Sequence, residues 1–221
     1  MAEPSRRELI VKVADRLFRH YGPQKTTMAD VARESGVGVG SVYLEFPSKD
    51  ALLQELSAHH YRGVLDAMRG VAEDDALAAP ERLVFVLQAR AVAFRGLLDE
   101  GAHACDLLHC GSEAVKAAQG SFHEEERAIL AAILEEGRRD GAFDIDDVEA
   151  TVRVLVLAYA SFAPPWIFKT DQKRLDADIS AMHELVLHGL LRRIGGKQVE
   201  PSSGPTLGPT EGASRASKRG K

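Results

Sequence analysis

The chain has 221 residues, 45% hydrophobic and 28% charged, the composition of one large or two small globular domains. Its longest uncharged run, Val154–Phe168, is 15 residues and contains Pro164 and Pro165, short of the roughly 20 apolar residues a spanning helix needs. With no apolar signal-peptide core near the start, and only Cys105 and Cys110 as thiols, the expectation is a cytoplasmic protein with no membrane partner and no disulfide framework.

Charge is unevenly spread. Residues 1–50 carry eight Lys/Arg against seven Asp/Glu, residues 51–196 fifteen against twenty-four, and residues 197–221 five against two. An anionic partner would avoid the acidic middle and approach one of the ends. Aromatic residues are 6% and strand-like alternation is nearly absent, so the predicted fold is all-α.

The first helix is predicted over about 5–21, where Leu9, Val13 and Leu17 lie beside Ile10, Ala14 and Phe18 at three-and-four spacing. Gly22-Pro23 ends it, and a short helix over 28–35 follows, capped by Thr26 or Thr27. Gly36 breaks the chain before a second short helix over 39–44; Pro47 stops it again, and Ser48 caps a long helix. Beyond residue 50 the periodicity predicts helices at about 48–72, 80–108, 112–118, 121–139, 146–163 and 174–194, with a turn at Gly141-Ala142-Phe143. The acidic run Glu124-Glu125-Glu126 reads as a solvated helix face. From Lys197 onward, 13 of 25 residues are Gly, Pro, Ser or Thr, a composition that predicts disorder, with a basic end either simply solvated or touching phosphate. The expected organisation is therefore 1–50, 51–196 and a tail of 197–221.

Residues 26–53 read TTMADVARESGVGVGSVYLEFPSKDALL. Two short helices around a tight turn, with Ala32 small enough for close packing and Gly36 able to take positive φ, describe a helix-turn-helix. Val31, Val37 and Val42 supply its small core, leaving the second helix to protrude toward a major groove.

This stretch resembles the DNA-binding domain of the TetR family of transcriptional regulators. The resemblance is carried by Thr26-Thr27, Asp30-Val31-Ala32, Gly36-Val37, Gly40-Ser41-Val42-Tyr43, Phe46, Ser48-Lys49 and Leu52. It implies double-stranded DNA as partner. Tyr43, Lys49 and Thr27 are implied to meet phosphates, and Ser41 with the methyls of Val39 to reach base edges. Val42 and Phe46 read as core. Two departures stand out: Gly38-Val39 replaces a common Ser-Lys, removing a cation, and Glu45 replaces a common Tyr or His. Glu45 either accepts from a cytosine amino group or pairs within the protein.

In the family resemblance the last two helices form a dimer interface and the preceding ones enclose a ligand pocket. The apolar helices over 146–163 and 174–194 suit a homodimer, which could place two recognition helices one DNA turn apart on a palindrome. Phe94, Leu98, His103, Tyr159, Phe162 and Trp166 are the candidate pocket residues for a small hydrophobic or aromatic effector, although each also fits a core position. In the cluster His103, Cys105, Asp106, His109 and Cys110, a continuous helix would place His103, Asp106 and Cys110 on one face and the other two opposite. No metal site and no Cys105–Cys110 bridge is expected from such a helix, and no cofactor is implied. The reading favoured is a ligand-responsive repressor; the alternative is a DNA-bound architectural or partner-binding protein without a small effector. No phosphate loop, nucleophile elbow or metal signature supports an enzyme.

Overall fold

In a computed structural model the structure describes residues 5–97, 101, 103–109 and 111–190. Every regular element is helical: α1 (Arg6–Tyr21), α2 (Met28–Ser35), α3 (Val39–Glu45), α4 (Lys49–Ala72), α5 (Ala79–Gly96), α6 (Ala104–Leu108), α7 (Glu113–Arg139), α8 (Val148–Ala158) running into a 3₁₀ turn (Tyr159–Phe162), and α9 (Gln172–Leu190). Among the described residues no helix is long and apolar enough to cross a membrane. Leu98, Cys110, the tail 197–221 and the predicted helix beyond 190 lie outside the described residues.

The first four helices start and stop where local chemistry dictates. Ser5 and Thr27 each accept a hydrogen bond from the backbone three residues on, and Glu8 and Asp30 return it, forming two capping boxes. Ser48 caps α4 through the amide of Ala51.

Two apolar cores share α4. Ile10, Phe18, Val31, Val42 and Phe46 pack with Leu52 and Leu56 in one core, to which Leu107 and Val115 also belong. The other joins Tyr61, Leu65 and Met68 of the same helix to α5, α7, α8 and α9. Helix α4 lies chiefly against α5 and α7, so it is the strut between the N-terminal unit and the rest.

Two predicted elements are corrected. The helix expected over 80–108 stops at Gly96, because the chain must return to α1: at Gly101 (φ 149°) a Cβ would stand 2.8 Å from the Arg19 carbonyl oxygen. Only glycine permits that approach in that backbone conformation. Conversely, the helices expected over 112–118 and 121–139 are one. Gly120 costs a helix interior about 1 kcal/mol, but Ala118 and Phe122 on either side are buried and hold the helix through it. The predicted turn at 141–143 is present, with Gly141 at φ 71°.

Candidate nucleic-acid interface and regulatory cavity

Helix α2 ends in a left-handed Gly36 (φ 68°), whose amide and that of Val37 return to the Ala32 carbonyl. This closure turns the chain into α3 within three residues. Val42 and Phe46 are buried and fix α3 from below, while Val39, Tyr43 and Leu44 remain exposed at 43, 49 and 83%. Ser41 is half-buried. A Cβ on Gly40 would meet nothing and one on Gly38 only the Ser41 hydroxyl at 3.9 Å, so the N-terminal turn of α3 is largely bare backbone. This is a helix-turn-helix with an outward second helix, the arrangement that enters a DNA major groove.

Of the residues implied to meet phosphate, Tyr43 is free to do so. Thr27 is exposed, but its hydroxyl already donates to Asp30 Oδ2 (2.6 Å) and accepts from the Asp30 amide (3.1 Å). Lys49 is drawn inward: its Nζ donates to the Pro23 carbonyl at 2.8 Å, holding the α1–α2 turn against the start of α4. In the free chain Glu45 is paired with Arg6, whose Nε stands 3.3 Å from its carboxylate. Sequence reasoning missed Arg7. Its Nη1 donates to the Glu45 carbonyl, its Nη2 to Glu55 at 2.6 Å, and its guanidinium covers the Phe46 ring at 4.2 Å. No local pattern links positions 7 and 45, so only the fold reveals the contact. Cations around this face are largely committed, Arg16 to Glu34 and Arg33 to Asp30 as well.

A second site lies in the lower core. A cavity of about 290 Å³ opens between α4, α5, α7 and the segment after α8. Phe94 and Trp166 of the predicted pocket residues line it, with Tyr61, Phe122, Val156 and Leu157 supplying further apolar wall. Tyr159 and Phe162 do not line it: both are buried, Tyr159 stacked on His183 with ring centroids 5.8 Å apart. His103 is elsewhere too, its ring against Gly22 and its amide donating to the Arg19 carbonyl at 3.0 Å, where α6 is sewn to the end of α1. The short α6 begins after His103 and ends before His109, so the faces predicted for the histidine–cysteine cluster do not exist. Among the described residues no group of three or more His, Cys, Asp or Glu could hold a metal ion.

The lining is also less apolar than expected. Arg90, His109, Gln119 and His123 face the cavity. Arg90 is 1% exposed; its Nε pairs with Glu126 and its Nη1 donates to the Tyr159 carbonyl at 3.2 Å. His123 Nδ1 meets the other oxygen of Glu126 at 2.9 Å. The acidic run is therefore not wholly a solvated face: Glu124 and Glu125 are exposed and Glu126 is buried. Burial opposes the Glu126 charge, but the Arg90 charge and the His123 contact outweigh it and hold its carboxyl below the usual range. Tyr61 connects this cavity to the upper unit by donating from its hydroxyl to the Leu108 carbonyl at 2.7 Å.

Comparison with known proteins agrees with the local geometry. A family model described as bacterial regulatory proteins, tetR family, matches residues 10–56. The chain is 33% identical over 79 residues to the HTH-type transcriptional regulator YerO of Bacillus subtilis, a match covering 36% of this chain and 27% of YerO. It is 28% identical over 157 residues to the HTH-type transcriptional repressor KstR2 of Rhodococcus jostii, covering 68% of this chain and 74% of that protein. A crystal structure of a transcriptional regulator from Cytophaga hutchinsonii superposes with a TM-score of 0.64 at 25% identity, over 84% of this chain and 98% of that one. The protein is thus a helix-turn-helix transcription regulator that binds DNA. Over residues 10–56 it matches the tetR family of bacterial regulatory proteins.

Proposed function

We propose that the protein is a repressor that binds a palindromic operator as a homodimer and leaves it when a small molecule fills the cavity beside Arg90. The observation that carries this reading is the placement of α4. One end of that helix, at Lys49, holds the α1–α2 turn beneath the recognition helix; its middle, at Tyr61, lines the cavity and binds α6. A ligand that favours one position of Tyr61 over another would move both ends of one rigid strut, and with them the separation of two recognition helices. Val39, Ser41 and Tyr43 would face the DNA, with Thr27 and the α2 N-terminus beside the phosphates and Lys49 acting by bracing the turn.

The dimer reading is supported by α8 and α9, which expose Val154 at 63%, Leu157 at 74% and Leu185 at 69%. Apolar side chains so bare on neighbouring helices suit a symmetric four-helix contact. The repressor named among the relatives supports the sign of regulation. A division at about residue 50 is kept as part of this proposal: the upper core draws mainly on α1 to α3, and Leu52, Leu56, Leu107 and Val115 from beyond it also join that core.

The test is selection of random DNA by the purified protein, with light scattering of the free and DNA-bound forms. An enriched inverted repeat bound by two chains is the expected result. Enrichment of a single, non-repeated site, or a monomeric mass at micromolar concentration, would overturn the dimeric reading.

A further inference from the structure

The chemistry of the cavity names a class of ligand, and this step rests on the reading that the cavity is the effector site. Among the described residues that line it, none is acidic, and the polar groups are Arg90, His109, Gln119 and His123. Both oxygens of the buried Glu126 are engaged by Arg90 and His123, so that carboxylate has little left to offer a cationic ligand. Arg90 is different. Its Nε and Nη1 have partners, but among the described residues its Nη2 has none, although the side chain is almost completely buried. A guanidinium nitrogen without a partner and facing a mostly apolar cavity calls for an acceptor, and a charged acceptor makes the stronger bond. The ammonium of Lys169, outside the cavity lining, stands 5.5 Å from the centre of the Trp166 ring and adds positive charge beside that wall residue.

We infer that the cavity takes a hydrophobic monocarboxylate, its carboxylate on Arg90 Nη2 and the adjoining His123 ring, its apolar body among Phe94, Phe122 and Trp166. A single negative charge fits better than a phosphate dianion, because Glu126 already balances Arg90. The volume of about 290 Å³ lies at the small end of ligand pockets and suits a compact aromatic or medium-chain acid. A small hydrophobic or aromatic effector, as expected from the sequence, meets Arg90 Nη2 only if it also carries an acceptor.

The test compares acids with alcohols of the same skeleton. Titration calorimetry on the full chain would use 3-phenylpropionate and octanoate against 3-phenylpropanol and octanol. The expected result is that each acid binds at least about tenfold tighter than its alcohol, the scale of a charge-assisted bond. Alcohols binding as tightly as acids, or no binding by any of the four, would overturn the inference. Arg90→Ala alone would strand Glu126 as a buried charge, so the variant to make is Arg90→Met with Glu126→Met. Replacing a buried ion pair by apolar groups of similar size is commonly tolerated. With folding confirmed by its melt, the double variant should bind acid and alcohol within about threefold of each other; a preserved acid preference would place the carboxylate elsewhere. Retention of the selected DNA is measured in parallel. Acids that bind without releasing DNA remove the ligand-responsive reading and keep the monocarboxylate site, whereas release by alcohols alone does the reverse.

Discussion

Arg7, in the first turn of α1, donates from Nη1 to the main-chain oxygen of Glu45 at 3.0 Å and so closes the last turn of α3. A seven-residue helix is too short to hold its own C-terminus, where carbonyls lack amide partners and carry partial negative charge. The same guanidinium reaches Glu55 and lies over Phe46, so one side chain ties α1, α3 and α4 together. Arg7→Ala should cost about 1 kcal/mol of stability, since the side chain is half-exposed and its ion pair is screened. The DNA affinity should fall by more than stability explains, because the recognition helix loses its orientation. Arg7→Lys keeps the charge but not the planar fork, and should behave like the alanine variant. Thermal melts and DNA titrations of the two variants check this, and a lysine variant equal to wild type would show that charge alone suffices.

The Arg6–Glu45 pair makes a prediction about salt. Arg6 Nε sits 3.3 Å from the Glu45 carboxylate, so a cation at the edge of the interface is already neutralised. Together with the missing cation at Gly38-Val39, this predicts a shallow dependence of DNA affinity on ionic strength. Each neutralised phosphate adds about 0.9 to the log-log slope, and the wild-type dimer should stay below about 5. Glu45→Gln frees Arg6 and removes a negative charge near the backbone. Affinity at low salt should rise several-fold, and the slope should steepen by about 1 per chain, without a change in the selected sequence. If the selected sequence changed instead, Glu45 would be reading a base.

Much of the upper unit was legible because its punctuation is local. Ser5, Thr27, Gly36 and Ser48 act within three or four residues of themselves, and the helices they bound match the expected spans to within a residue. What escaped was set by distant contacts. Gly96 to His103 cannot remain helical because α1 lies across the path, yet nothing near residue 101 in the sequence announces Arg19. Lys49 was expected at a phosphate because of its place in the motif, and the carbonyl it seeks belongs to Pro23, 26 residues away. The buried Glu126 had a readable signal. It falls four residues after Phe122 and four before Leu130, on the buried stripe of α7, but its acidic neighbours made it look solvated.

The exposed apolar side chains of α8 and α9 give a direct test of assembly. Leu157 and Leu185 have their side chains mostly in water in the single chain, and covering each would contribute roughly 1.5 to 3 kcal/mol per protomer. Leu157→Asp with Leu185→Asp should leave the monomer folded, since neither side chain supports the core, while lowering the dimer mass in light scattering at micromolar concentration. Affinity for the full inverted repeat should drop much further than affinity for a half-site, because the second recognition helix is lost. A variant that remained dimeric would move the interface to another face.

His183 makes stability depend on pH. Its ring is buried against Tyr159, and neither its Nε2 nor the Tyr159 hydroxyl has a hydrogen-bond partner among the described residues. Burial lowers the His183 pKa below its ordinary 6.5, only partly offset by the nearby Glu184 charge. The unfolded chain therefore binds this proton at a pH where the folded chain does not. Stability is full above about 6.5 and declines as pH falls from there toward the lowered folded value. Glu126 acts in the same direction but later: its folded pKa lies below its ordinary 4.5, so its contribution is lost only as pH falls below that range. Between pH 7 and 5 the decline should thus carry the signature of His183. His183→Phe keeps a flat ring on Tyr159 without a titrating nitrogen, and its melting temperature should change less over that interval than that of the wild type. Equal pH dependence in the two proteins would assign the decline to another group.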